Sequence, residues 1–257
     1  MIGSMSEKVL ITGGSEGIGY GFARCFAQRK AELYLCARNI TKLQQAAEAL
    51  RQEYGCHVEI IPGDLSDQNC VYALYHAFDG NTPDVVVNNA GMGYTGKALD
   101  SDMKMDENMI ELNVKTVMNL TKFFARDMVQ KGKGLIINVA STGAFQPGPY
   151  IAEYYASKAF VLSYSEALNE ELKDTGVHIC TVCPGPVNTG FYQKSGGKMP
   201  PLHMEPMDVA RYTLKHVQEA VVVPGISNKI ARILPSGMKM RTVGKMKQAS
   251  QHTDPQD

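Results

Sequence analysis

The sequence predicts a single α/β domain, a doubly wound seven-stranded parallel sheet with helices on both faces. Three observations predict it. Seven short runs are continuously apolar rather than alternating, as in strands buried on both sides. Longer segments with helical spacing separate them, and strand and helix alternating in this way imply right-handed crossovers. The chain has 257 residues, of which 44% are hydrophobic, and shows no linker or low-complexity stretch before residue 245. One large core over residues 1–257 is therefore the economical reading.

The first strand is Val9-Leu10-Ile11, ending at Thr12. Gly13, Gly17 and Gly19 follow in a G-x-x-x-G-x-G pattern, and a helix begins at about residue 18. Glycines let the backbone turn sharply and approach a pyrophosphate, and a helix N-terminus offers free amides and a positive dipole end. Gly13, Ser15, Gly17, Ile18 and Gly19 are thus expected to cradle a dinucleotide. The second strand, Leu33 to Cys36, runs into Ala37-Arg38-Asn39, and helical spacing follows from Ile40 to Tyr54.

A ribose bound as a free diol calls for an acidic residue at this point. Arg38 stands there instead, and a guanidinium suits a 2′-phosphate, so NADP(H) is favoured over NAD. Glu16 cuts the other way, because a basic residue before Gly17 would have helped a phosphate. Arg38 read alone is also compatible with a surface cation.

The third strand, Val58 to Ile61, leads to Gly63-Asp64-Leu65-Ser66. Asp64 would either accept from the adenine amino group or cap the next helix. Asp64 and Leu65 are assigned to the cofactor, together with Asn89 of Asn88-Asn89-Ala90-Gly91, which ends the fourth strand, Val85 to Val87. That carboxyl edge is where open α/β sheets bind ligands. A helix is expected from Asp106 to Met128, a fifth strand from Leu135 to Val139, a helix from Ala152 to Thr175, a sixth strand from Val177 to Val182, and a seventh from Val221 to Val223.

The chemistry lies after the fifth strand. Tyr154 and Lys158 are four apart on a helix and share a face. A phenol is a poor acid at neutral pH, but a nearby ammonium and a positive nicotinamide ring favour phenolate. Such a phenol can donate a proton to a carbonyl oxygen as hydride arrives, or accept one in reverse. Ser141, thirteen residues before Tyr154, can hold the same oxygen. Tyr155 keeps neither interval.

Composition excludes other classes. Lys+Arg and Asp+Glu are both 26, which removes the pull on phosphate backbones that nucleic-acid binders show. The six cysteines are scattered, and Cys180-x-x-Cys183 lies in a strand-like run whose residues three apart face opposite sides. Buried structural thiols are expected, with no disulfide framework and no metal. No signal peptide and no apolar run long enough for a membrane span are visible, so a cytoplasmic location is expected.

Taken together, Thr12-Gly13-x-x-x-Gly17-x-Gly19, Asn88-Asn89-Ala90-Gly91, Asn113, Ser141, Tyr154-x-x-x-Lys158 and Pro184-Gly185-x-Val187-x-Thr189 resemble the short-chain dehydrogenase/reductase family. The resemblance covers residues 8 to about 190, in family order and spacing. It implies a Rossmann-type domain with Tyr154 as catalytic acid/base. Lys158 would hold the nicotinamide ribose and lower the Tyr154 pKa, and Ser141 would position the carbonyl. Asn113 would hold a water in a proton relay, and Val187 and Thr189 would meet the nicotinamide carboxamide. Relatives commonly form dimers or tetramers through helices corresponding to 103–130 and 151–175, so a homodimer or homotetramer is expected.

The substrate falls to residues 189–207, a segment too long for a plain connection. Met92, Tyr94, Phe145, Tyr150, Phe191, Tyr192, Met199 and Met204 are the expected lining, which suits a neutral hydrophobic ketone or aldehyde, with an acyl chain or a steroid-like body among the candidates. An NADPH-dependent carbonyl reductase is the leading reading. Its alternatives are a hydroxysteroid or 3-oxoacyl-type dehydrogenase and a cofactor-binding regulator without turnover. The basic segment 226–247 has amphipathic helical spacing suited to packing on its own domain or to peripheral membrane contact. Residues 248–257 are expected to be disordered.

Overall fold

Seven strands align in parallel in the order β3-β2-β1-β4-β5-β6-β7. They are β1 (Lys8–Thr12), β2 (Glu32–Ala37), β3 (Val58–Pro62), β4 (Val85–Asn88), β5 (Gly134–Val139), β6 (Val177–Val182) and β7 (Val221–Val222). The structure is a computed structural model and describes residues 6–225 together with 228, 237, 240, 243–245 and 248. The expected basic helix over 226–247 and the tail 248–257 fall largely outside the described residues.

The continuous apolar runs behave as strands buried on both faces. Val9, Ile11, Leu33, Leu35, Val85 and Val87 face one core; Leu10, Tyr34, Cys36, Val86 and Ile136 face the other. Helices α1 (Gly17–Ala27), α2 (Ile40–Tyr54) and α8 (Pro206–Lys215) cover the first face. Helices α3 (Gln68–His76), α5 (Val117–Lys131) and α6 (Ala152–Glu171) cover the second. Cys180 packs in the first core and Cys183 in a separate cluster with Val117 and Val161, so the Cys-x-x-Cys pair is divided between two sides of the sheet. No helix among the described residues is long and apolar enough to cross a membrane.

Local chemistry explains the ends. Asn39 caps α2 by accepting from the Lys42 amide at 2.9 Å, and Gly55 closes it in the left-handed conformation. Helix α6 stops at Glu171, short of the expected Thr175, because the Thr175 hydroxyl donates to the Leu172 carbonyl at 2.6 Å and turns the chain. The expected helix over 106–128 is longer and not uniform. Helix α4 (Met103–Ile110) passes through a π-helical turn, Glu111–Thr116, into α5. Residues 189–207 are more ordered than a loop: they hold α7 (Phe191–Lys194), a bridge from Met204 back to Val187 just before the segment, and the start of α8.

The sheet order reverses between β1 and β4, whose carboxyl ends open a crevice. The glycine turn after β1, the Asn88–Gly91 segment after β4, Ser141 after β5 and Pro184-Gly185 after β6 all lie at that edge.

Candidate active site

The glycine turn is built around absent side chains. Gly13 has φ +64°, and a Cβ there would sit 2.7 Å from the Asn89 Nδ2. A Cβ on Gly19 would sit 2.3 Å from the Gly13 carbonyl oxygen, so only glycine lets the start of α1 fold this tightly over the turn. Thr12 Oγ1 accepts from the Asn89 and Ala90 amides, both at 3.0 Å. Asn89 Nδ2 donates to the carbonyls of Thr12 (3.0 Å) and Gly13 (3.2 Å). Asn89 therefore braces the turn from across the crevice. Glu16 occupies the N-cap of α1 but makes no side-chain cap bond, and the first amides of a helix have no partner within it. Gly13, Ser15, Gly17, Ile18 and Gly19 thus form a narrow cradle backed by a helix N-terminus, a fit for a pyrophosphate.

At the adenosine end, the Arg38 guanidinium lies 3.6 Å from the Asp64 carboxylate, both exposed. Asp64 is not the cap of α3. Its Oδ1 accepts from the Ser66 amide (3.0 Å) and hydroxyl (2.8 Å), while Asp67 caps α3 through the Asn69 amide. Burial pushes the Asp64 carboxyl up, but the Ser66 hydrogen bonds and Arg38 outweigh it and leave it below its ordinary value. The Leu65 side chain is buried in the second core, so its main chain is what remains to meet a nucleotide. Glu16, read from sequence as an obstacle to phosphate, is paired with Lys42 at 2.9 Å and with Lys194.

Tyr154 and Lys158 share one face of α6, with the Lys158 Nζ 5.8 Å from the Tyr154 ring centre. Lys158 is 4% exposed and donates to the Val139 carbonyl at 2.8 Å. Burial pushes its pKa down to about 8. Ser141 caps the short 3-10 turn Thr142–Phe145, its Oγ accepting from the Gly143 amide at 3.1 Å, and its hydroxyl lies near enough to the Tyr154 phenol to favour the ionised form. Burial raises the Tyr154 phenol, and the nearby Ser141 hydroxyl offsets this only in part. The upward shift is the work of burial, and it describes the site without the nicotinamide ring that the expectation for Lys158 also invoked. Packed neighbours desolvate both groups, which favours a neutral phenol and weakens the ammonium.

Asn113 sits in the π-helical turn, fully buried. Its Oδ1 accepts from the Met92 amide at 2.9 Å; its Nδ2 donates to the Met92 carbonyl at 2.8 Å and to Ser157 Oγ at 3.0 Å. Ser157 donates in turn to the Tyr154 carbonyl at 2.7 Å. Sequence reasoning missed Ser157. Its signal was a small hydroxyl three residues after Tyr154, on the helix face that α6 turns inward. Tyr155 is set apart: its ring fills the space over Gly143 and Gly148, at 2.8 and 2.4 Å from where their side chains would begin.

After β6, the Thr189 side chain lies 3.1 Å from the Cβ position of Gly17, at the rim of the cradle. Val187 is buried and held by its bridge to Met204. The Phe191 ring packs on Tyr154 at 5.1 Å, and Tyr192 meets Phe191 edge-on at 5.9 Å. Three expected lining residues also pack on the cores. Met92, partly buried, packs against the second core, Met204 against the first and Phe145 against the Val117 cluster, with their neighbouring backbone fixed by Asn113, Val187 and the 3-10 turn. Among the described residues, no three His, Cys, Asp or Glu side chains gather as a metal site requires.

Residues 7–199 match the model of the family described as short chain dehydrogenase. The chain is 30% identical over 198 residues to 17-beta-hydroxysteroid dehydrogenase type 3 of Mus musculus, covering 76% of this chain and 65% of that protein. It is 31% identical over 180 residues to the very-long-chain 3-oxoacyl-CoA reductase of Anas platyrhynchos, covering 68% and 58%. The chain thus spans about three fifths of the length of these curated relatives. Among solved structures, a short-chain dehydrogenase from Sphingobium yanoikuyae in complex with NADPH superposes with a TM-score of 0.82 at 29% identity, covering 98% of both chains.

Proposed function

The chain belongs to the short-chain dehydrogenase family, and from that premise we propose that it is an NADPH-dependent reductase of hydrophobic ketones or aldehydes. The observation that carries the proposal is geometric: the buried Tyr154 phenol shares a face of α6 with Lys158, whose Nζ lies 5.8 Å from its ring centre and which water barely reaches, with Ser141 at the neighbouring strand end. A phenol in this position can give its proton to a carbonyl oxygen in reduction or take one back in oxidation.

A nicotinamide cofactor, held by Gly13, Ser15, Gly17, Ile18, Gly19, Asn89, Lys158, Val187 and Thr189, would supply hydride at this edge of the sheet. The Arg38 guanidinium, with its modest hold on an exposed Asp64, is the group to receive a 2′-phosphate. The relative solved with NADPH supports that choice. Tyr154 Oη donates its proton to the carbonyl oxygen, and the Ser141 hydroxyl steadies the same oxygen as negative charge grows on it. Asn113 serves by position. Its amide ties the segment after β4 to Ser157 on α6, leaving its main chain as the part able to hold a relay water.

Phe191 and Tyr192 make the substrate side apolar. The steroid and 3-oxoacyl relatives agree with a bulky apolar carbonyl compound, and the oxidation of the matching alcohol is the same reaction reversed. The test is NADPH oxidation against steroid ketones, 3-oxoacyl thioesters and aliphatic and aromatic aldehydes. Arg38→Ala should raise the KM for NADPH by about tenfold or more, the worth of one charged hydrogen-bonding contact, and leave that for NADH nearly unchanged. Equal effects on both cofactors would remove the assignment of NADPH.

A further inference from the structure

We propose that Glu16 is a positioning residue for the substrate side of the site. Its carboxylate latches α7, through Lys194, onto the cofactor cradle and so sets Phe191 against Tyr154. The proposal extends the reductase reading and rests on it only for its kinetic arm.

Glu16 has the backbone of an N-cap, φ −158° and ψ 170°, yet its side chain leaves the α1 amides alone. It reaches outward instead, where Lys42 from the first turn of α2 holds it at 2.9 Å and Lys194, the last residue of α7, closes on its other oxygen. Burial pushes the Glu16 carboxyl up, but the two lysines outweigh this and hold it below its ordinary value. It therefore stays ionised at neutral pH. Lys42 fixes the carboxylate to the body of the domain, and Lys194 is the movable end.

The segment that Lys194 terminates touches both halves of the site. Thr189 rests against Gly17 of the cradle, and Phe191 lies against both Gly93 and the Tyr154 ring. The next turn docks on the segment after β4, where the Thr95 amide donates to the Ser195 carbonyl at 2.8 Å. This docking has a cost written into it. The Thr95 hydroxyl is buried beneath it without a hydrogen-bond partner, 3.3 Å from where a Gly197 side chain would begin. A buried unpaired hydroxyl favours undocking. The Glu16–Lys194 pair opposes it from the other end of the same short segment.

Hydrogen exchange of residues 189–198, followed by mass spectrometry in the ligand-free protein, tests the latch without any turnover. Glu16→Gln and Lys194→Met should each speed exchange there by about two- to fivefold, the range an exposed ion pair supports, and the double variant should be no faster than either single one. Lys194→Arg, which keeps the charge, should exchange like the wild-type protein. Unchanged exchange in the single variants, or additive effects in the double, would overturn the proposal. In the kinetic arm, Glu16→Gln and Lys194→Met should raise the KM for the carbonyl substrate by a similar factor with kcat changed less. Loss of kcat at constant KM would also overturn it. A protein with no reductase turnover leaves the exchange result to decide the latch by itself, so the two readings fail separately.

Discussion

Lys158 carries its charge where water hardly reaches, and the fold bears the cost of that. Its pKa is pushed down to about 8 from 10.5 because burial penalises the ammonium. Between those two values the unfolded chain binds the proton and the folded chain does not. The penalty is therefore fully present below pH 8 and fades as pH rises to 10.5, so folded-state stability grows with pH across that window. The shift corresponds to about 3 kcal/mol. Urea unfolding of wild type and Lys158→Met, compared from pH 7 to pH 10.5, should show the wild type gaining about that much on the variant. A difference independent of pH would mean that the lysine is not perturbed.

At this scale the sequence was legible where spacing carries the chemistry, as in the four-residue step from Tyr154 to Lys158. It was not legible where the answer depends on what else packs nearby. The sign of the Tyr154 shift and the pairing of Glu16 with Lys42 and Lys194 both needed the neighbours in place.

The glycine turn is the element whose shape most constrains binding. A methyl on Gly19 would meet the Gly13 carbonyl at 2.3 Å, a contact that only a backbone shift can relieve. Gly19→Ala should cost about 1–3 kcal/mol of stability and weaken nicotinamide nucleotide binding tenfold or more. Gly132→Ala is the control. Its φ of +68° also strains an alanine, but it has open space around it and sits at the far end of α5, so it should lose about 1 kcal/mol with binding unchanged. Nucleotide titration monitored by cofactor fluorescence, beside thermal unfolding, separates the two.

Strands and helix α2 were legible because unbroken apolar runs and helical spacing are local signals. The π-helical turn at Glu111–Thr116 was not, since it is held by the Asn113 bonds to Met92 and Ser157 from distant elements. Residues 189–207 read as an open loop for the same reason. The bridge from Val187 to Met204 and the docking of Ser195 on Thr95 are long-range contacts that leave no periodicity in the chain.

On the scale of the whole molecule, the parallel order places every loop that carries chemistry at one edge. Reversal of the sheet between β1 and β4 opens the crevice there. The cradle after β1, Arg38 after β2, Ser141 after β5 and Thr189 after β6 then converge without any of them being near the others in sequence. The buried bonds of Asn88 to Thr121 and Asn138, and of Asn138 to Ser165, tie β4, β5, α5 and α6 into one block beneath the catalytic face. That block fixes Tyr154 relative to Ser141, and the account of function rests on this pair. The direct measurement is NADPH oxidation with the best carbonyl substrate of the panel, wild type against Tyr154→Phe, with nucleotide affinity measured on both. The account predicts that the variant binds NADPH as the wild type does and loses about 10²-fold or more of kcat, the least that removing a general acid costs. A Tyr154→Phe variant that turns over at a rate close to wild type would contradict it.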